Sequence, residues 1–267
     1  MIKAKLFFAF PSLLLACILA FLLSACNTGY NPGTVNIAPD PSILRVGVTA
    51  NSPPLIYKNN DMITGVEADL ARKLAKSIGK EARFVEVKWS DQIDALEKNK
   101  IDIIMSSMSI TNAREYRIAF SNPYLRSGQI LLVRLEEKAR FTTGIYSLMN
   151  SKYTIGVVKD TTGDLFITRT INGAKTKSFT ESADAVKALI NKEIDAFVYD
   201  APMICHYAAV NENAKLTPIL TMATEEYLAW GNRKEDTALL NQANQFLDEL
   251  KRTEQLPQMI RTWIPYM

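Results

Sequence analysis

The sequence predicts an α/β protein of two lobes built on one plan, and three observations carry that expectation. Short apolar runs of the kind that fill parallel strands alternate with longer segments whose apolar residues recur every three or four positions. Two passages then repeat: Ala95-Leu96 through Ile101-Asp102 to Met105 parallels Ala188-Leu189 through Ile194-Asp195 to Val198, and Val46-Gly47-Val48 parallels Ile155-Gly156-Val157. The offsets are 93 residues for one pair and 109 for the other. Two related lobes fit this, and a tandem array does not. A composition of 48% hydrophobic and 22% charged residues excludes disorder and collagen. The length suits one large domain or two of roughly 100 to 130 residues.

The elements follow in order. Ile43 to Val48 is a buried strand, followed by a loop carrying Pro53-Pro54. Val66, Leu70, Leu74 and Ile78, with Ala71 and Ala75 beside them, lay one apolar face along a helix that stops at Gly79. Phe84 to Val87 reads as a strand, and Ser90 as the cap of a helix containing Ile93 and Leu96. Ile101 to Met105 is a buried strand ending in Ser106-Ser107-Met108-Ser109, and Thr111 starts the next helix. The second half repeats the grammar. Tyr153 to Val158 is a strand, Thr161-Thr162-Gly163 a loop, Ala183, Val186, Leu189 and Ile190 a helix face, Asp195 to Tyr199 a strand and Ala201 to Val210 a helix.

The amino terminus reads as an address, not as part of the fold. After Lys3 and Lys5, Leu6 to Leu23 form an eighteen-residue apolar run broken only by Pro11 and Ser12, the pattern of a signal peptide over residues 1–25. Leu23-Ser24-Ala25-Cys26 resembles a bacterial lipobox, which implies lipidation of Cys26. The alternative is an uncleaved anchor, since eighteen residues just span a bilayer. Residues 26–42, with Gly29, Pro32, Gly33, Pro39 and Pro41, read as a flexible tether. Either way the body is expected outside the cytoplasm on a cell or outer membrane, facing periplasm or exterior. Without Lys3 and Lys5 the 31 basic residues become 29 against 28 acidic. A net charge near +1 argues against a nucleic-acid partner. Only Cys205 remains in the body, so its fold rests on its core without a disulfide.

Ligands of parallel sheets sit off the carboxyl ends of strands, where loops diverge. The repeat places Ser106-Ser107 and Tyr199-Asp200 at equivalent strand ends. Ser109 and Arg114 extend the first rim; Thr162 and Gly163 extend the second. Facing each other, the rims set a guanidinium and donors against a carboxylate, which suits a zwitterion. Each residue alone has an ordinary reading: a solvated arginine, an aspartate before Ala201-Pro202 at a helix start, a serine turn. Their combination points to a ligand.

Ile101-Asp102-Ile103-Ile104-Met105-Ser106-Ser107-Met108-Ser109-Ile110-Thr111, then Arg114, then Phe120-Ser121-Asn122-Pro123-Tyr124, resembles the polar amino acid-binding proteins of ABC importers, family 3 of the bacterial extracellular solute-binding proteins. Gly65 to Leu70, Asp195 to Asp200 and Gln255 to Trp263 are similar to further family segments. The resemblance runs from about Ile43 to Trp263. It implies the type II periplasmic binding protein fold, with a mixed sheet flanked by helices in each lobe and two hinge crossings. Lobe 1 would hold 43–125 and 228–267, lobe 2 would hold 130–223, and the hinges would lie at 124–128 and about 224–228. It further implies that Ser107, Ser109, Arg114 and Thr162 bind a ligand carboxylate, that Asp200 pairs its ammonium, and that Trp89 stacks on it. The implied partners are an amino acid or similar small carboxylate and an ABC permease. A monomer without cofactor or metal is expected.

Departures fall where the ligand side chain is read. Ser52 stands where an aromatic residue often forms the opposite wall, and Thr49 where an acid often selects basic or amide groups. Asp160 and Glu67 are acids that could reward a basic group, Glu67 more readily as a structural residue. His206, the lone histidine, lies in the Ala201 to Val210 helix with Cys205 and lacks the company of a catalytic base. Cyclohexadienyl dehydratases share the implied fold, and Tyr124-Leu125-Arg126 with Glu137 to Phe141 is faintly similar to them. That enzyme reading needs a protonated carboxyl in the cleft, for which Asp160 and Asp164 are the nearest candidates. A sensor feeding a membrane receptor is the third class.

Overall fold

A computed structural model describes residues 40–149 and 152–265. The leader, Cys26 and the tether up to residue 39 lie outside the described residues. Within residues 40–265 the chain builds two five-stranded sheets of one design. In the first the order is Glu81–Glu86, Ile43–Val48, Ile103–Ile104, Gly231–Asn232, Ala119–Phe120. In the second it is Lys175–Phe179, Thr154–Val158, Ala196–Asp200, Gln129–Arg134, Leu216–Ile219. The first three strands of each are parallel, and the fourth runs antiparallel to both its neighbours. Each fourth strand follows directly on a passage of the chain from the other lobe. The two passages pair with each other as the antiparallel ladder Leu125–Ser127 with Glu226–Leu228.

The repeated sequence has an atomic reason. Asp102 accepts the backbone N–H of Arg45 at 2.8 Å, and Asp195 accepts that of Thr154 at 2.6 Å. Each aspartate thus fastens the neighbouring strand at its start. Isoleucine and glycine are matched in the same way. A Cβ on Gly47 would lie 2.2 Å from the Ile101 Cδ1, and one on Gly156 would lie 2.4 Å from the Ile194 Cδ1. The isoleucine lies flat on the strand only because the glycine has no side chain.

Helices cover the sheets where their apolar stripes predict. Val66–Ser77 buries Val66, Leu70, Ala71 and Leu74 and packs on the strand Glu81–Glu86 and on the carboxyl-terminal helices Thr237–Arg252 and Gln255–Trp263. The Trp263 Nε1 donates to Asp69 at 2.9 Å and closes that group. Ser182–Ile190 and Ala201–Val210 serve the second sheet.

Three expectations need correction. Ser90 caps nothing: its hydroxyl donates to Asp91 within a single 3₁₀ turn, Trp89–Asp91, and the helix is only Gln92–Glu97. The segment Thr161-Thr162-Gly163 is not a free loop. Thr161 caps the helix Thr162–Thr170 through the Asp164 N–H, so Thr162 and Gly163 form its first turn. Within Ile101 to Met105 the regular strand is Ile103–Ile104, although the Asp102 and Met105 N–H groups still donate to the Arg45 and Gly47 carbonyls at 2.8 and 3.1 Å.

A Gly156→Val protein should lose about 1–3 kcal/mol of stability through overpacking. A lowered urea midpoint would show it; an unchanged midpoint would break the account of the repeat.

Candidate functional site

The carboxyl ends of Ile103–Ile104 and Ala196–Asp200 open on one cavity. From the first lobe it is bounded by Ser52, Trp89, Ser107, Ser109 and Arg114, and from the second by Thr162, Tyr199 and Asp200. Seven of the eight residues named from sequence as ligand-binding therefore converge. Gly163 does not reach the cavity wall: it is buried in the helix's first turn, where a Cβ would strike the Gln129 Oε1 at 2.5 Å.

Arg114 is placed by a short helix, Asn112–Glu115, whose cap, the Thr111 hydroxyl, accepts the Arg114 N–H at 3.3 Å. Its Nη1 donates to the Ser109 carbonyl at 2.7 Å, and its Cζ lies 5.1 Å from the centre of the Trp89 ring. Trp89 thus lies against the guanidinium itself. Burial lowers the Arg114 pKa, while Asp200 and Glu226 pull it back up. Among the described residues no carboxylate stands within ion-pair distance of 4.0 Å from Arg114. Asp200, only 6% exposed, is pushed up to about 7, first by burial and then by the Glu226 charge, against the Gln129 hydrogen bond and Arg114.

Contacts between the lobes narrow the cleft. The Trp89 Nε1 donates to the Asp160 carbonyl at 3.0 Å, the Asn51 Nδ2 to Glu181 at 2.8 Å, and the Ser182 hydroxyl to the Asn51 carbonyl at 2.9 Å. The Ser52 and Tyr199 hydroxyls lie 3.5 Å apart. Thr49 faces inward, giving its hydroxyl to the Val87 carbonyl at 2.8 Å. Asp160 lies beside Trp89 and Arg114 in an adjoining recess. The Asp164 carboxylate accepts the Asp160 N–H at 3.0 Å on the outside of that turn. His206 packs near Tyr57 and Tyr207.

The residue that sequence reading missed is Glu226. It is 9% exposed and accepts four hydrogen bonds from neutral donors. Ser109 and Thr162 reach one oxygen at 2.6 and 2.8 Å; Thr224 and the Gln129 Nε2 reach the other at 2.8 and 3.0 Å. The same Gln129 nitrogen lies within reach of Asp200 and, at 3.1 Å, of the Thr162 hydroxyl, so its two hydrogens are shared among three acceptors. The hydroxyls of Ser109 and Thr162 are therefore turned to Glu226. Thr162 bounds the cavity at the helix start, where its backbone amide has no acceptor within the helix.

Residues 44–266 match the family described as bacterial extracellular solute-binding proteins, family 3. The chain belongs to that family. A probable histidine-binding protein of Campylobacter jejuni is 30% identical over 191 residues, 72% of this chain and 73% of that protein. A solved structure, the binding component of an ABC transporter from Wolinella succinogenes complexed with lysine, matches with a TM-score of 0.80 at 29% identity. It covers 84% of this chain and 97% of that one. The cyclohexadienyl dehydratase of Pseudomonas aeruginosa is 30% identical over 130 residues, 48% of each chain. Most of the family 3 homologues are binding proteins rather than enzymes.

In this family 3 chain Glu67 supports the site from behind. Wholly buried, it accepts the Ser107 N–H at 2.5 Å and so holds Ser107 in a left-handed turn of φ 51°. Its Oε1 meets no donor among the described residues. Burial pushes its pKa up to about 8, against the Ser107 N–H and the neighbouring Tyr124 hydroxyl. Both raised carboxyls bind protons more tightly folded than unfolded. Their stabilisation is complete below about pH 4 and fades as pH rises through about 7 for Asp200 and about 8 for Glu67. Thermal unfolding should therefore occur at a higher temperature at pH 5 than at pH 8.5. Glu67→Gln, which copies the protonated form, should reduce that difference. An equal slope in the variant would remove Glu67 as a source.

Proposed function

We propose that this protein is an extracytoplasmic substrate-binding lipoprotein that captures an amino acid between its lobes and delivers it to an ABC permease. The carrying observation is Arg114: half-buried, without an ion-pair partner among the described residues, and set across a cavity from the buried Asp200. A guanidinium on a cleft wall is matched by a carboxylate and a buried aspartate by an ammonium, so the pair fits the head of an amino acid. Arg114 holds the ligand carboxylate, with the Thr162 backbone amide and the Ser109 backbone completing its donors. Asp200 takes the ammonium, with the Ser107 carbonyl beside it. Ser52, Trp89 and Tyr199 surround the side chain. The lobes in this reading are 43–125 with 228–267, and 130–223, turning about 124–128 and 224–228, and the protein works as a monomer.

Asp200 also favours a second reading. A carboxyl near pKa 7 in a cleft is a candidate general acid, and it replaces Asp160 and Asp164, which serve a turn at the rim. The dehydratase relative supports that alternative, but Asp200 is already committed to Gln129 and faces a cation suited to binding.

A thermal-shift screen of the amino acids, with prephenate and arogenate included, separates the two. A ligand at a hundred times its Kd should stabilise the protein by about 2.7 kcal/mol, and Arg114→Ala should weaken it by about 3 kcal/mol or more, roughly a hundredfold. Normal affinity in that variant would refute the carboxylate role; product from prephenate or arogenate would favour the enzyme. Diacylation of Cys26 supplies the two chains that stable anchoring needs. Cys26→Ala should accordingly move the protein from the membrane to the soluble fraction, and continued membrane retention would count against lipidation there.

A further inference from the structure

The charges bounding the cleft do not balance. Arg114 is the cation on its wall, and Asp200 is the matching acid. Glu226 adds a second buried acid, and all four of its hydrogen bonds come from uncharged groups. Neutral donors satisfy its lone pairs but leave its charge in place. Among the described residues no lysine or arginine lies within 4.0 Å of it. Two further acids stand at the mouth. Glu181 holds Asn51, which bounds the cavity, and its charge is felt at the Tyr199 hydroxyl. Asp160 shares the adjoining recess with Arg114. With the ligand ammonium beside Asp200 favouring its ionised form, a zwitterion would leave the closed cleft with a net negative charge in a poorly solvated space. A ligand bringing one more positive charge neutralises it.

We propose that Glu226 is a specificity-determining residue that makes this cleft select amino acids of net charge +1, those with a basic side chain. The inference rests on the amino acid reading above and narrows it. The ligand head lies between Arg114 and Asp200, and its basic side chain extends toward Asn51, Tyr199 and the Glu181 side of the mouth. Selection comes from the fixed charge rather than from a contact with the side chain, so shape alone does not account for it.

Matched pairs of probes separate charge from shape. L-arginine and L-citrulline differ chiefly in a guanidinium against a neutral ureido group, and L-lysine and L-norleucine in a terminal ammonium. Calorimetric titration of the full chain in mild detergent should show arginine or lysine bound at least tenfold tighter than its neutral counterpart. Glu226→Gln should narrow that gap about tenfold, and Glu226→Asp, which keeps the charge, should preserve most of it. A gap that is absent in the unaltered protein, or intact in Glu226→Gln, overturns the proposal. The unaltered protein decides the ligand class even should a variant fail to fold. Tight binding of a neutral amino acid without a gap removes this inference and leaves the amino acid reading standing. No binding of any amino acid removes both.

Discussion

A half-buried guanidinium constrains everything around it. Arg114 is partly withdrawn from water, which lowers its pKa, and it is held by groups that do not neutralise it. The carbonyl of Ser109 takes one N–H and the Trp89 ring covers the guanidinium, both compatible with an unspent positive charge. The short helix that carries it is fixed by the Thr111 cap, which limits the arc the side chain can sweep. The opposite wall is then arranged around the same charge. Asp200 ends a central strand, Ala196–Asp200, whose five residues are all buried, so its position is set by the sheet. The distance between the two charges is therefore a property of how the lobes are joined.

That joining explains where the remaining polar groups sit. Gln129 follows the first passage between lobes and Glu226 opens the strand of the second. Their side chains meet at 3.0 Å. Between them they touch Ser109 in one lobe and Thr162 and Asp200 in the other. A polar network placed there is shared by both halves, and its members are spread widely along the chain. The bonds of Glu226 to Ser109 and Thr162 close only when both lobes are assembled.

Much of this was legible in the sequence, and the reasons are physical. The apolar face of Val66–Ser77 and the buried strands declare themselves because core positions tolerate few residue types. The repeat was visible because Gly47 with Ile101, and Gly156 with Ile194, are locked by steric fit, and Asp102 with Asp195 by a bond to the next strand. Arg114 and Asp200 were found from their place at strand ends. Ser90 failed because capping competes locally with a 3₁₀ turn that the hydroxyl cannot outvote. Glu226 failed for a different reason. Glu225-Glu226-Tyr227-Leu228 entered only as part of a hinge at about 224–228. Strand periodicity gives the better reading: Glu226 shares a face with the buried Leu228, while Tyr227 points out. Thr224 is two residues away, but nothing short of the fold brings Ser109, Gln129 and Thr162 to it.

Glu67 and Glu226 show two answers to the same problem. Each is a glutamate taken out of water, and burial alone disfavours the charged form. Glu67 receives one backbone N–H and keeps an oxygen without a donor, so the protonated form prevails up to about pH 8. A neutral acid there can hold Ser107 without adding charge behind the cleft. Glu226 receives four donors, filling the acceptor sites of a carboxylate. None of those donors carries a charge of its own. The difference matters because Glu226 lies in the same network as Asp200, whose pKa it raises. Charge left inside a closed cleft must be met by whatever enters it, so hydrogen bonds far from the ligand's side chain can still bear on which side chain is accepted.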